Sequence, residues 1–96
     1  MPEVARQGDI CTGHSCYPPR PNTSWSGNVF VNGRAVHRQN DGWTPHSCGD
    51  SPPHSSSLAR GSSTVFVNNQ GAGRIGDPIK CGSAIATGSP NVFAGG

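Results

Sequence analysis

VFVNGRAVHRQND runs from Val29 to Asp41 and VFVNNQGAGRIGD from Val65 to Asp77, and the two align without a gap. They share Val-Phe-Val-Asn, then an Arg nine residues after the first Val, then an Asp three residues later. A third copy is divided between the chain ends. Its front half is Val92-Phe93-Ala94-Gly95-Gly96 and its back half is Val4-Ala5-Arg6-Gln7-Gly8-Asp9. Arg6/Asp9, Arg38/Asp41 and Arg74/Asp77 are therefore equivalent pairs. Each front half follows a small polar lead-in: SGN before Val29, GSST before Val65 and GSPN before Val92. Splitting one repeat across the termini is what a closed ring does, because the last strand then pairs with the first, and closure removes unpaired sheet edges. The pattern predicts pseudo-threefold symmetry.

Within each copy, Val-Phe-Val is a β-branched and aromatic run that ends in a turn. Asn32-Gly33 is a strong hairpin signal, and Asn68-Asn69 tolerates positive φ at the same place. The segments ending at Arg38 and Arg74 are the return strands. Asp41-Gly42 and Asp77-Pro78 then turn the chain out into longer loops. Arg-x-x-Asp reads as an exposed ion pair bracing a turn, worth ~0–1 kcal/mol, rather than as catalytic machinery.

Composition agrees with a small all-β body. Only 31% of the 96 residues are hydrophobic, while 14 Gly and 9 Pro favour short strands and many turns over a helical bundle. A single domain over residues 1–96 with so thin a core needs a staple such as a metal, disulfides or a partner chain. The net charge is +2 and the basic residues are scattered, which argues against a nucleic-acid partner. No apolar run has the length of a membrane helix. The opening MPEVARQGD lacks the basic and apolar regions of a signal peptide. Synthesis in a cytoplasm follows, where four cysteines read as thiols or ligands rather than disulfides.

All four cysteines and three of the four histidines fall in the variable segments 10–28, 42–64 and 78–91. His37 alone lies in a return strand, where a packing role is favoured. His14 and His46 each lie five residues after their repeat Asp, and His54 and Cys81 each lie eleven residues before their repeat Val. Four groups from three loops, His14, His46, His54 and Cys81, can thus converge near the pseudo-threefold axis. Three imidazoles and a thiolate suit one tetrahedral structural Zn²⁺. Cys11, His14, His46 and Cys48 form a competing set, but it draws on two loops and leaves Cys81 unexplained. A Cys11–Cys16 or Cys16–Cys48 disulfide is the alternative for an oxidising location.

These features together resemble the PAAR-repeat proteins over almost the whole chain. The family's Pro-Ala-Ala-Arg motif has degenerate counterparts ending at Arg6, Arg38 and Arg74. The surrounding frame G-S-P-x-V-F-x-N-G-x-x-x-x-R-x-G-D is met by Gly88-Ser89-Pro90 and by Val29-Phe30-Val31-Asn32-Gly33. Departures are Gln39-Asn40 for x-Gly and Asn69 for Gly, both compatible with turns. The resemblance implies a small cone of three β-hairpin repeats with zinc near its apex, held by three His and one Cys. It also implies a broad base that docks on the blunt end of a trimeric β-helical spike, one tip per trimer.

Such spikes belong to contractile phage tails and to the type VI secretion apparatus, where the tip meets a target membrane transiently and can travel with effector cargo. The expected location is accordingly a phage tail tip, or a bacterial cytoplasm followed by export. With no toxin extension read at either end, a bare, non-enzymatic tip is expected. The competing readings are a small zinc hydrolase and a zinc-knuckle RNA-binding module. The first is weakened by the shortage of acids outside the repeat, which leaves Glu3 and Asp50. The second rests on Cys11-x-x-His14 and lacks a basic cluster.

Overall fold

A computed structural model of the chain describes residues 1–13, 17–48 and 51–96, with residues 46–48 and 51–55 described by their backbone alone. Six strands are present and no helix is found among the described residues: β1 Phe30–Val31, β2 Arg34–Ala35, β3 Gly42–Cys48, β4 Ser51–Ser57, β5 Phe66–Val67 and β6 Gln70–Gly71. They form three two-stranded antiparallel hairpins, β1-β2, β3-β4 and β5-β6. The all-β expectation therefore holds.

The two complete repeats are hairpins in matching register. Phe30 faces Ala35 and Val31 faces Arg34 in the first, while Phe66 faces Gly71 and Val67 faces Gln70 in the second. Their turns have positive φ at both central residues, 54° and 75° at Asn32 and Gly33, 54° and 66° at Asn68 and Asn69. That conformation matches the twist of the flanking strands, and Asn reaches it at modest cost. The third copy forms across the termini, with Glu3 opposite Phe93. Val4 N donates to Val92 O at 2.9 Å and Ala94 N donates to Pro2 O at 3.0 Å.

The return strands close the ring. Ala5 N donates to Gly73 O, Gly73 N to His37 O, and His37 N to Ala5 O, at 2.8, 2.8 and 3.0 Å. Each copy thus gives one hydrogen bond and receives one. Because side chains alternate along a strand, this ring divides the core into two storeys. Val4, Val36 and Ala72 point into a cluster with Val67 and Ala94, flanked by Val29, Val31 and Val92. The next residues, Ala5, His37 and Gly73, turn the other way. Ala5 joins Cys11, Trp43, Leu58, Ile79 and Ile85 in the second cluster, with Ile75 and Cys81 packed against it. The axis is crowded on that side: a Cβ on Gly73 would sit 3.0 Å from Leu58 Cδ2 and 3.2 Å from His37 Cδ2. One imidazole fills the space that three larger side chains could not share.

The Arg-x-x-Asp pairs brace turns as expected, but Arg6/Asp9 and Arg74/Asp77 are buried and Arg38/Asp41 is largely so, rather than exposed. Arg74 Nε and its own backbone N–H both donate to Asp77 Oδ2 at 2.9 Å, and Nη2 donates to Oδ1 at 2.9 Å. The same fork joins Arg38 to Asp41 and Arg6 to Asp9. The third residue of each turn has positive φ: Gly8, Asn40 and Gly76 at 87°, 76° and 91°. The free edge of each guanidinium then reaches the next copy. Arg38 Nη1 donates to Asn68 Oδ1, Arg74 Nη1 to Gly95 O, and Arg6 Nη1 to Asn32 Oδ1. Burial follows from this second task, since the pair sits under the neighbouring repeat's turn.

Segment 42–64, read as a loop, instead carries the two longest strands, β3 and β4. Prolines and a lack of alternation hid them. A two-stranded ribbon has two open edges, so residues without an N–H are tolerated there, and its register shifts on both sides of His46. Trp43, just past the Asp41-Gly42 turn, is 4% exposed and belongs to the core, whereas Tyr17 and Trp25 are half-buried.

Candidate metal centre

The three variable segments are knitted together on the Cys81 side of the ring. Cys11 bridges to Ile85, and Thr12 N donates to Ala84 O at 2.8 Å, which ties the first segment to the third. Thr12 Oγ1 also lies 3.1 Å from Ser83 Oγ. Leu58 bridges to Ile79, and Lys80 N donates to Ser57 O at 3.0 Å, which ties the second to the third. Asn22 bridges to Trp43, and Thr44 N donates to Pro21 O at 3.0 Å, which ties the first to the second. Each segment thus contacts both others.

Cys81 is a free thiol, half-buried, packed against the cluster that contains Trp43 and Leu58. It follows Lys80, whose amide is bound to the foot of β4. His46 and His54 occupy directly opposed positions of the β3-β4 ribbon. Opposed residues of an antiparallel pair have Cα atoms ~4.5–5.5 Å apart, a spacing at which two positions can serve one ion. His14 lies outside the described residues, as do the side chains of His46 and His54. The neighbouring Thr12 is fixed against Ser83 and Ala84, two and three residues beyond Cys81. An N₃S donor set at this place would suit a closed, four-coordinate zinc site with no position left for substrate.

Cys11, the starting point of the competing ligand set, is free and buried, and its Sγ accepts from Arg20 N at 3.3 Å. It serves as a small apolar core residue in the cluster that Cys81 packs against. Cys16 and the side chain of Cys48 lie outside the described residues.

His37 packs, as its strand position suggested. It is fully buried, with its ring edge-on to Trp43 at 4.9 Å and 73°. Its Nδ1–H donates to Ser24 O at 2.9 Å. Burial pushes the imidazole below its ordinary value of 6.5, while the Ser24 carbonyl and the Asp41 charge pull the other way. The unfolded chain therefore binds a proton that the folded chain refuses. This contribution to stability is complete above an unfolded pKa of about 6.5 and is lost as the pH falls from there toward the folded value. Melting temperatures of wild type and His37→Leu, followed from about pH 8 to about pH 5, should separate, with wild type falling more steeply on the acid side.

Two sets of residues carry no distinct signal in the sequence beyond their repeat position. Ser26, Ser62 and Ser89 are each buried three residues before the repeat Val, and each Oγ accepts from that Val's N–H at 2.9–3.0 Å. The same hydroxyls donate across the ring: Ser26 to Asn68 Oδ1, Ser62 to Gly95 O, Ser89 to Asn32 Oδ1. The signal was present as a Ser in every lead-in. The second set is Phe30, Phe66 and Phe93, which are exposed in all three copies.

Comparison with known proteins places the PAAR motif on residues 12–87. The chain is 36% identical over 88 residues to the NAD(P)(+) glycohydrolase toxin Tse6 of Pseudomonas aeruginosa strain PAO1, covering 81% of this chain and 20% of that protein. It has the same identity and coverage with the (p)ppApp synthetase toxin Tas1 of Pseudomonas aeruginosa strain UCBPP-PA14. It thus spans 20% of the length of these curated relatives.

Proposed function

Because the chain belongs to the PAAR-motif family, we propose that it is a non-enzymatic spike tip, a rigid point that caps the trimeric β-helical spike of a type VI secretion apparatus. The observation that carries this reading is the closed ring, in which Ala5, His37 and Gly73 exchange backbone hydrogen bonds in sequence. A monomer with this symmetry can offer three identical partner chains nearly the same surface three times. The relatives are toxins, so a tip of this kind carries effector cargo to a target membrane. The same ring would serve a contractile phage tail, whose spike has the same symmetry.

In this reading one zinc on His14, His46, His54 and Cys81 locks the three loops together at the point. The bound ion would supply cross-linking rather than chemistry, since four protein ligands leave it no substrate position. The chain's own residues contribute the apolar floor beneath Cys81 and the backbone contacts between segments. The test is co-expression with a trimeric β-helical spike protein from the same genome, followed by light scattering and native mass spectrometry. One tip per three spike chains is expected. Absence of a complex, or three tips per trimer, would refute the capping role.

A further inference from the structure

Building on the spike-tip reading, we propose that the partner trimer receives this chain strand on strand. Each partner chain pairs its own strand with the outer edge at Phe30, Phe66 or Phe93, and the three phenyl rings anchor the joint. The chain has 3 phenylalanines, and all occupy this one repeat position. They are 60%, 59% and 47% exposed, while the flanking Val29, Val31 and Val92 pack inward. Alternation along the strand explains most of the division: Val29, Val31, Val67 and Val92 face the valine cluster and each Phe faces away from it, while Val65 is 40% exposed. Equivalent positions about a threefold axis lie at one height and one radius, so the rings form a level apolar set.

The backbone beneath the rings is open in the same three places. Val31 and Arg34 flank the two-residue turn as a hydrogen-bonded pair, and Val36 N donates to Val29 O at 3.0 Å. Phe30 falls between these, at a site whose N–H and C=O point away from β2. Val4 N to Val92 O and Ala94 N to Pro2 O bracket Phe93 in the same way, and Ala72 N to Val65 O sets Phe66 likewise. Among the described residues, none of the three Phe amides or carbonyls has a backbone partner in another segment. Ring closure therefore satisfies the return strands and leaves the outgoing strands as three equal edges.

That combination selects the partner. An apolar ring alone would also suit a lipid surface, but unpaired backbone groups carried into hydrocarbon are costly. A sheet edge satisfies them, since added strands recover the hydrogen bonds and the side chains supply anchoring area. Three such edges around one axis require three equal strands, which a homotrimer supplies.

The test uses the trimer of the co-expression experiment. Amide hydrogen exchange is followed by NMR in the free chain and in the complex. Phe30, Phe66 and Phe93 amides should exchange without protection when free and slow by at least about 100-fold, all three together, when bound. Replacing all three with Ser should weaken binding by about 100-fold or more and leave the zinc content of the free chain unchanged. A complex that leaves these three amides unprotected, or a triple variant that binds like wild type, overturns strand pairing while the capping role stands. No complex overturns both. Phe-dependent binding to phosphatidylethanolamine/phosphatidylglycerol vesicles, with no protection by the trimer, overturns the proposal in favour of a lipid surface.

Discussion

Replacing Cys81 with serine is expected to lower the zinc content of the purified chain from one ion to well below one, with a large fall in melting temperature. The size follows from linkage. When the unfolded chain has no preformed site, the affinity of a structural zinc appears as folding free energy, ~10–16 kcal/mol in zinc-finger peptides. Loss of one of the four proposed ligands would forfeit a sizeable part of that, more than any single apolar contact in a core this small supplies. The thiol also packs against the Trp43 and Leu58 cluster, so serine introduces a hydroxyl at an apolar boundary. Cys81→Ala separates these effects, because it keeps the boundary apolar and still removes the ligand. Elemental analysis beside thermal melts, with and without chelator, is the measurement. Chelated wild type should melt near the Cys81 variants, and Cys16→Ser should behave as wild type. A Cys81→Ser chain that retains one zinc would refute the ligand set.

Asp77→Ala is the second large effect, at about 3–5 kcal/mol of stability by urea denaturation. The Arg74 and Asp77 side chains are 9% and 8% exposed. Removing the carboxylate leaves a buried guanidinium uncompensated and an Arg74 backbone N–H without its acceptor. Arg74 is also the residue that holds the Gly95 carbonyl, so the loss spreads from one turn to the joint between the second and third copies. Because most of the penalty is the orphaned charge, the double variant Arg74→Met/Asp77→Leu should be more stable than Asp77→Ala alone. A cost under ~1 kcal/mol, as for exposed pairs, would contradict burial of the pair.

The Arg-x-x-Asp pairs also show where the sequence ceases to be a guide. The Arg and Asp were visible as a repeat, and so was the turn between them, because residue type alone carries both. Their burial was not visible, since it depends on a neighbouring copy folding over them. Ser26, Ser62 and Ser89 were hidden for the same reason: a serine in a polar lead-in looks like any loop residue until its cross-ring acceptor is known. The β3-β4 ribbon went unread because Pro45, Pro52 and Pro53 suppress the usual strand signal, while an isolated ribbon has no inner edge for them to offend. At the proposed metal centre, the register of His14 with His46 and of His54 with Cys81 names four positions. The structure adds the mutual bridging of their segments and the opposition of His46 and His54. The core position of Trp43 was not legible, because an aromatic residue just past a turn gives no sign of which side of the ring it will enter.

The joint between Glu3 and Phe93 has a consequence for how such a molecule can be lengthened. In the other two copies the corresponding place is a tight turn, at Asn32-Gly33 and Asn68-Asn69. The ring thus contains three interchangeable places at which the covalent chain can be interrupted, and only one is used. Polypeptide attached before Met1 or after Gly96 would leave from a hairpin tip without crossing the ring or threading the loops that converge near Cys81. A chain closed in this way can carry added polypeptide at either end and still keep its ring.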